Sequence, residues 1–147
     1  MQQQIRIVLV DDHEVVRESW EFLLNRDARF TVVGQCRNGE EAIQQAKALT
    51  PDVMLMDINM RPVNGFDATE AIMANTPSVK IIGLSANIHP TYADKILSLG
   101  AKGFVTKSSS FDELTKAILH VQAGGRYVCD EIKNDSSYLG EWKEAAN

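Results

Sequence analysis

Polar residues stand where otherwise apolar runs of the chain end. Asp11-Asp12 follow Ile5–Val10, Asp57 follows Val53–Met56, Ser85 follows Val79–Leu84, and Thr106-Lys107 follow Gly103–Val105. If these runs are neighbouring strands, three carboxylates, a hydroxyl and an ammonium meet at one rim. Two unit charges 4 Å apart repel by about 4 kcal/mol at an effective dielectric near 20. Something positive must hold such carboxylates together. A hard divalent ion with oxygen ligands suits best, and Mg²⁺ takes one or two carboxylates while keeping several waters. Zn²⁺ fits less well, because His13, His89 and His120 fall on different elements and no His/Cys cluster is present. A carboxylate beside Mg²⁺ and a lysine can attack a phosphoryl group as a nucleophile. The Ser85 hydroxyl could then hydrogen-bond that group.

Taken singly, each residue has a plainer reading. An Asp after a strand often caps the next helix, Ser85 would be a loop hydroxyl, and Lys107 a solvated lysine. The set is harder to explain by capping. Competing motifs fail. GxGxxG is absent behind the first run, as are GxxxxGK[ST] and GxSxG, and His13-Glu14-Val15-Val16-Arg17 lacks the second His of HExxH.

The elements that must position these residues alternate. Near-continuous apolar runs (Ile5–Val10, Phe30–Val33, Val53–Met56, Val79–Leu84, Gly103–Val105) suit strands buried on both faces of a parallel sheet. Between them lie amphipathic segments with helical spacing: Val16, Trp20, Leu23 and Leu24; Ala42, Ala46 and Leu49; Phe66, Thr69, Ile72 and Met73; Ala93, Ile96 and Leu97; Leu114, Ala117, Ile118 and Val121. Asn38 reads as an N-cap, Ser110-Phe111-Asp112-Glu113 as a capping box, and Gly100 and Gly124 as C-terminal glycines. The order is β-α repeated five times, an α/β fold with a doubly wound parallel sheet of five strands and five helices. Arg126 to Asn147 is polar without a clear apolar face and reads as a tail or linker, with a short helix around Tyr138–Ala145.

Composition agrees with one soluble domain. The 147 residues are 44% hydrophobic and 24% charged. A net charge of −5 argues against the chain itself binding nucleic acid, which needs clustered Lys and Arg. Cys36 and Cys129 lack CxxC spacing and read as reduced buried thiols. No apolar run approaches a membrane span, and the opening residues carry no basic region of a signal peptide. The expected location is cytoplasmic, without membrane contact.

Val8-Leu9-Val10-Asp11-Asp12-His13, Asp52 through Met60, Asn64-Gly65, Leu84-Ser85-Ala86 and Gly100 through Lys107 occur in order and at appropriate spacing. In these stretches the chain resembles the response-regulator receiver domain of bacterial two-component signalling, over about residues 5–125. Asp11 to Arg17 and Ala101 to Tyr127 are similar to the NarL/FixJ subgroup, whose members usually carry a C-terminal LuxR-type DNA-binding domain. The resemblance implies a flavodoxin-like strand order of 2-1-3-4-5, with Asp57 as phosphoacceptor, fed by a sensor histidine kinase or a phosphotransfer protein. It implies Mg²⁺ on Asp12 directly, with Asp11 assisting, Asp57 and the backbone carbonyl of Asn59. Ser85 and Lys107 would contact phosphoryl oxygens. Phe104 would be the aromatic switch, turning inward when Ser85 shifts. Asn59 and Asn87 match positions that tune acyl-phosphate lifetime.

The pattern departs at three places. Arg61 stands where proline is usual and Pro62 follows, Phe111 replaces a common proline, and Lys107 precedes Ser108 rather than proline. A cis bond without proline would cost ~3–4 kcal/mol. The expected organisation is a receiver over residues 1–125 and a tail over 126–147. The latter is too short for a helix-turn-helix module, so DNA would be reached only through a domain absent from this chain. A homodimer is a further expectation. Alternatives are a Mg²⁺-dependent phosphatase working through an aspartyl intermediate, and a pseudo-receiver acting by protein contacts alone.

Overall fold

A computed structural model describes residues 3–140. Six strands alternate with six helices: β1 (Ile5–Val10), α1 (Glu14–Asn25), β2 (Phe30–Cys36), α2 (Gly39–Leu49), β3 (Val53–Asp57), α3 (Gly65–Asn75), β4 (Lys80–Ser85), α4 (Pro90–Ser98), β5 (Gly103–Thr106), α5 (Phe111–Gln122), β6 (Tyr127–Val128) and α6 (Asp130–Lys133). All strand pairs are parallel and the order is β2-β1-β3-β4-β5-β6. The doubly wound parallel α/β sheet expected from the alternation, in the flavodoxin-like order that the resemblance implies, is the fold found, with one strand and one helix more.

The apolar runs form strands because helices cover both faces of the sheet. Every residue of β3 and β5 is buried. On one face α1 and α5 meet through Trp20 stacked on Phe111 at 6.4 Å. On the other, α2, α3 and α4 pack side by side. The Asn38 and Ser110 side chains accept from the amides of Glu41 and Glu113, as N-caps should. Along α1 the expected stripe is only partly core. Leu24 is buried and Leu23 exposed, while the polar Arg17 is buried.

The extra elements come from the segment read as tail. Gly103 pairs with Tyr127 and Phe104 with Val128, so β6 closes the β5 edge. Val128, Cys129 and Ile132 are buried. Glu113 does not complete a reciprocal capping box. Its Oε2 instead accepts from the Tyr127 hydroxyl at 3.1 Å and the Asp130 amide at 3.3 Å. Farther on, Asp94 of α4 accepts from the amides of Leu139 and Gly140. In the expected helix around Tyr138–Ala145, residues 138–140 are irregular and the rest lies outside the described residues. Cys36 and Cys129 are free and buried, and burial pushes the Cys36 thiol up to about 12. Among the described residues no helix is long and apolar enough to cross a membrane.

Candidate functional site

The carboxyl ends of β1, β3, β4 and β5 share one rim, since these strands are neighbours. Asp57 is the last residue of β3 and is 1% exposed. It pairs with Leu84, so Ser85 lies one residue further along the next strand. Behind Asp57 the chain turns tightly. The Gly65 amide donates to the Ile58 carbonyl at 2.9 Å, and a Cβ on Gly65 would stand 2.4 Å from the Asp57 carbonyl oxygen. Only glycine permits this approach, which seats α3 against the back of the site.

Lys107 ties two carboxylates together. Its Nζ lies 2.7 Å from Asp11 Oδ2 and 3.4 Å from Asp57 Oδ1. The Asn59 amide donates to Asp57 Oδ1 at 3.2 Å. Asp57 Oδ2 is buried and receives no hydrogen bond. Burial, then the neighbouring Asp11 charge, pushes the Asp57 carboxyl above its usual range, against the pull of Lys107 and the Asn59 amide. Burial would lower the Lys107 ammonium, but the hydrogen bond to Asp11 and the Asp57 charge outweigh it and raise it.

Asp11 is buried and Asp12 exposed. One ligand atom from each of Asp11, Asp12, His13 and Asp57 falls within a 4.8 Å cluster. This oxygen-rich set, with an orphaned buried acceptor on Asp57, fits a hard divalent cation. Ser85 is fully buried; its Oγ accepts from the Asn87 amide at 3.0 Å, which leaves the hydroxyl proton to be donated. The Asn59 and Asn87 side chains sit at the exposed lip. Phe104 is fully buried on β5, facing the gap that Gly83 leaves on β4, so it already points inward.

The rim therefore gathers Asp11, Asp12, Asp57, Ser85 and Lys107, as their spacing predicts. Arg61 is exposed, Arg61–Pro62 is the cis peptide among the described residues, and Lys107–Ser108 is trans. Two residues were missed. His13 places Nδ1 2.9 Å from Asp11 Oδ1 and 3.0 Å from Asp12 Oδ1. Arg17 is buried, donating from Nη1 to the Asp11 carbonyl and from Nε to Gln35. The only signal for His13 was its adjacency to the Asp pair.

Residues 7–119 match the response regulator receiver domain. The chain belongs to this family. The receiver is 37% identical over 139 residues to the transcriptional regulatory protein LnrK of Bacillus subtilis (strain 168), covering 95% of this chain and 62% of that protein. It is 36% identical over 128 residues to the response regulator UvrY of Escherichia coli O6:H1, covering 87% and 59%. The chain thus spans about 60% of the length of the curated relatives it matches. A LuxR-family two-component response regulator from Aurantimonas sp. SI85-9A1 superposes on the receiver with a TM-score of 0.87 at 31% identity, over 99% of this chain and all of that one. The signal receiver domain of NarL from Mycobacterium tuberculosis gives 0.80 at 31% identity, over 84% and 99%. These neighbours belong to the NarL/LuxR type that the sequence resembles.

Proposed function

We propose that this receiver is a phosphorylation switch whose acceptor is Asp57. The observation that carries the reading is the buried Asp57 carboxylate, with Oδ1 toward Lys107 and Oδ2 without a donor, beside the Ser85 hydroxyl strand. An Asp57 oxygen forms the new bond to phosphorus as the phosphorus–nitrogen bond of a phosphohistidine breaks. The leaving imidazole nitrogen keeps the bonding pair and takes up a proton. Lys107 neutralises the transferring oxygens, and Ser85 donates its hydroxyl to the phosphoryl group once attached. Asp11, Asp12, Asp57 and the Asn59 carbonyl would hold Mg²⁺, which supplies charge neutralisation on the phosphoryl oxygens.

The donor is a sensor histidine kinase or phosphotransfer protein, and the output is a partner face, a second copy or a transcription-regulating segment outside this chain. Asn59 and Asn87, exposed at the lip, tune phosphoryl lifetime. Ser85 and Phe104 form the relay, and switching requires that the phosphorylated site favour one arrangement of this pair over another. Relatives named as transcriptional regulatory proteins support that output. We read 1–125 as the receiver and 126–147 as a tail or linker whose first residues, as β6 and α6, pack back on the sheet edge.

Intact mass after incubation with acetyl phosphate and Mg²⁺ tests the acceptor. One added phosphoryl group, lost in Asp57→Asn, is expected. Repeated turnover of a generic phosphate ester would favour a phosphatase instead, and no adduct with several donors would favour a pseudo-receiver.

A further inference from the structure

The imidazole of His13 lies against the same two carboxylates that begin the acidic rim. Its Nδ1 is 2.9 Å from Asp11 Oδ1 and 3.0 Å from Asp12 Oδ1. An octahedral ion with bonds near 2.1 Å separates adjacent ligand atoms by about 3.0 Å. Both His13 distances match adjacent ligands of one small ion, and the four ligand atoms of Asp11, Asp12, His13 and Asp57 lie within 4.8 Å of one another. Lys107 pairs with Asp11 Oδ2 and Asp57 Oδ1, so Asp11 Oδ1, which accepts from the His13 amide, and the buried, donorless Asp57 Oδ2 are the oxygens it leaves to an ion.

We propose that His13 is a nitrogen ligand of the cation site, which makes the site prefer a divalent first-row transition ion to Mg²⁺. This rests on the reading of the rim as a cation site and adds to it a residue that sets metal preference. An all-oxygen set favours Mg²⁺, whereas an imidazole adds bond strength for Co²⁺, Ni²⁺ or Zn²⁺ and little for Mg²⁺. With Nδ1 lending its lone pair, the ring proton resides on Nε2. The His13 side chain is 66% exposed, so water solvates that N–H. The ring is covalently next to Asp12, and its own amide donates to Asp11 Oδ1 at 2.9 Å, which fixes the backbone from which it reaches.

Calorimetric titration of the full chain with CoCl₂ and with MgCl₂ tests this, with His13→Ala and Asp57→Asn alongside. The chain should bind Co²⁺ more tightly than Mg²⁺, and His13→Ala should weaken Co²⁺ by about tenfold or more while moving Mg²⁺ by less than about twofold. Asp57→Asn should weaken both ions. Equal losses of the two ions in His13→Ala, or unchanged Co²⁺ affinity, would overturn the His13 assignment and leave the Mg²⁺ rim standing. Co²⁺ binding indifferent to Asp57→Asn would place that ion elsewhere and overturn it too. Failure of both ions to bind the unaltered chain would remove the rim reading itself. As a direct readout, Zn²⁺ should displace the His13 Nδ1 nitrogen resonance, and an unmoved resonance in the metal-loaded protein counts against ligation.

Discussion

Asp57 and Asp11 lie buried on either side of a single ammonium, so their mutual repulsion is only partly cancelled. The Asp57 carboxyl is raised above 3.8 by burial first and Asp11 second. A raised carboxyl binds its proton more tightly in the folded chain than in the unfolded one. Stability is therefore lost as pH climbs from 3.8 through the folded value. Asp57→Asn should accordingly raise Tm at pH 7, and that gain should fade below pH 3.8; thermal melts at the two pH values check it. Lys107→Met works in the opposite sense. It strips the counter-charge from two buried carboxylates and should cost on the order of 3 kcal/mol in urea denaturation at pH 7. At this scale the sequence revealed the rim residues because a charge at the end of a buried apolar strand loses solvation and persists only where it is paired or bound to an ion. It did not reveal Arg17 or the place of His13. Helical spacing assigns Arg17 a face but cannot say that its guanidinium turns back onto the Asp11 carbonyl.

Glu113 shows how an element can be placed correctly and its purpose misread. Its position three residues after Ser110 is that of a capping box, and the Ser110 half forms. The carboxylate instead holds the Tyr127 hydroxyl and the Asp130 amide, so α5 clamps β6 and α6 to the sheet edge. That segment escaped sequence reading because a two-residue strand and a four-residue helix are too short for any periodicity to register. Val128, Cys129 and Ile132 are the buried apolar residues there, with Tyr127 packed half-buried beside them. Burial and the Glu113 carboxylate push the Tyr127 phenol up to about 12. The protonated phenol is the form the fold favours. Its contribution is complete below the ordinary value of 10 and is lost as pH rises toward 12. Ultraviolet titration should resolve one late tyrosine, and Glu113→Gln should bring it toward 10. Ile132→Ala should cost about 2–4 kcal/mol in denaturant unfolding. An unaltered midpoint would mean that the segment is not part of the cooperative unit.

For the molecule as a whole, the alternation of apolar runs and amphipathic helices was enough to specify a doubly wound sheet. Helices on both faces require strands with no polar side, and the runs supply them. Neighbourhood between strands is what turns residues far apart in sequence into one rim, because β1, β3, β4 and β5 end side by side. The periodicity did not say that the sheet continues past β5, since its edge is closed by backbone pairing rather than by a long apolar strand. On the proposed reading, the same architecture makes metal binding a property of the fold. In an unfolded chain Asp11 and Asp57 are separated by 45 intervening residues and cannot share an ion. A cation held by the rim therefore binds only the native state, and at a hundredfold excess over its Kd stabilises it by about 2.7 kcal/mol. For a domain of this size that is a rise of about 5–10 °C in Tm. Thermal melts in MgCl₂ should show that rise, and Asp12→Asn should remove most of it. NaCl at matched ionic strength screens exposed charges without bridging the carboxylates, so it should leave Tm within about 2 °C. A rise of the same size in NaCl would mean that general screening, not an ion seated among Asp11, Asp12 and Asp57, relieves the repulsion.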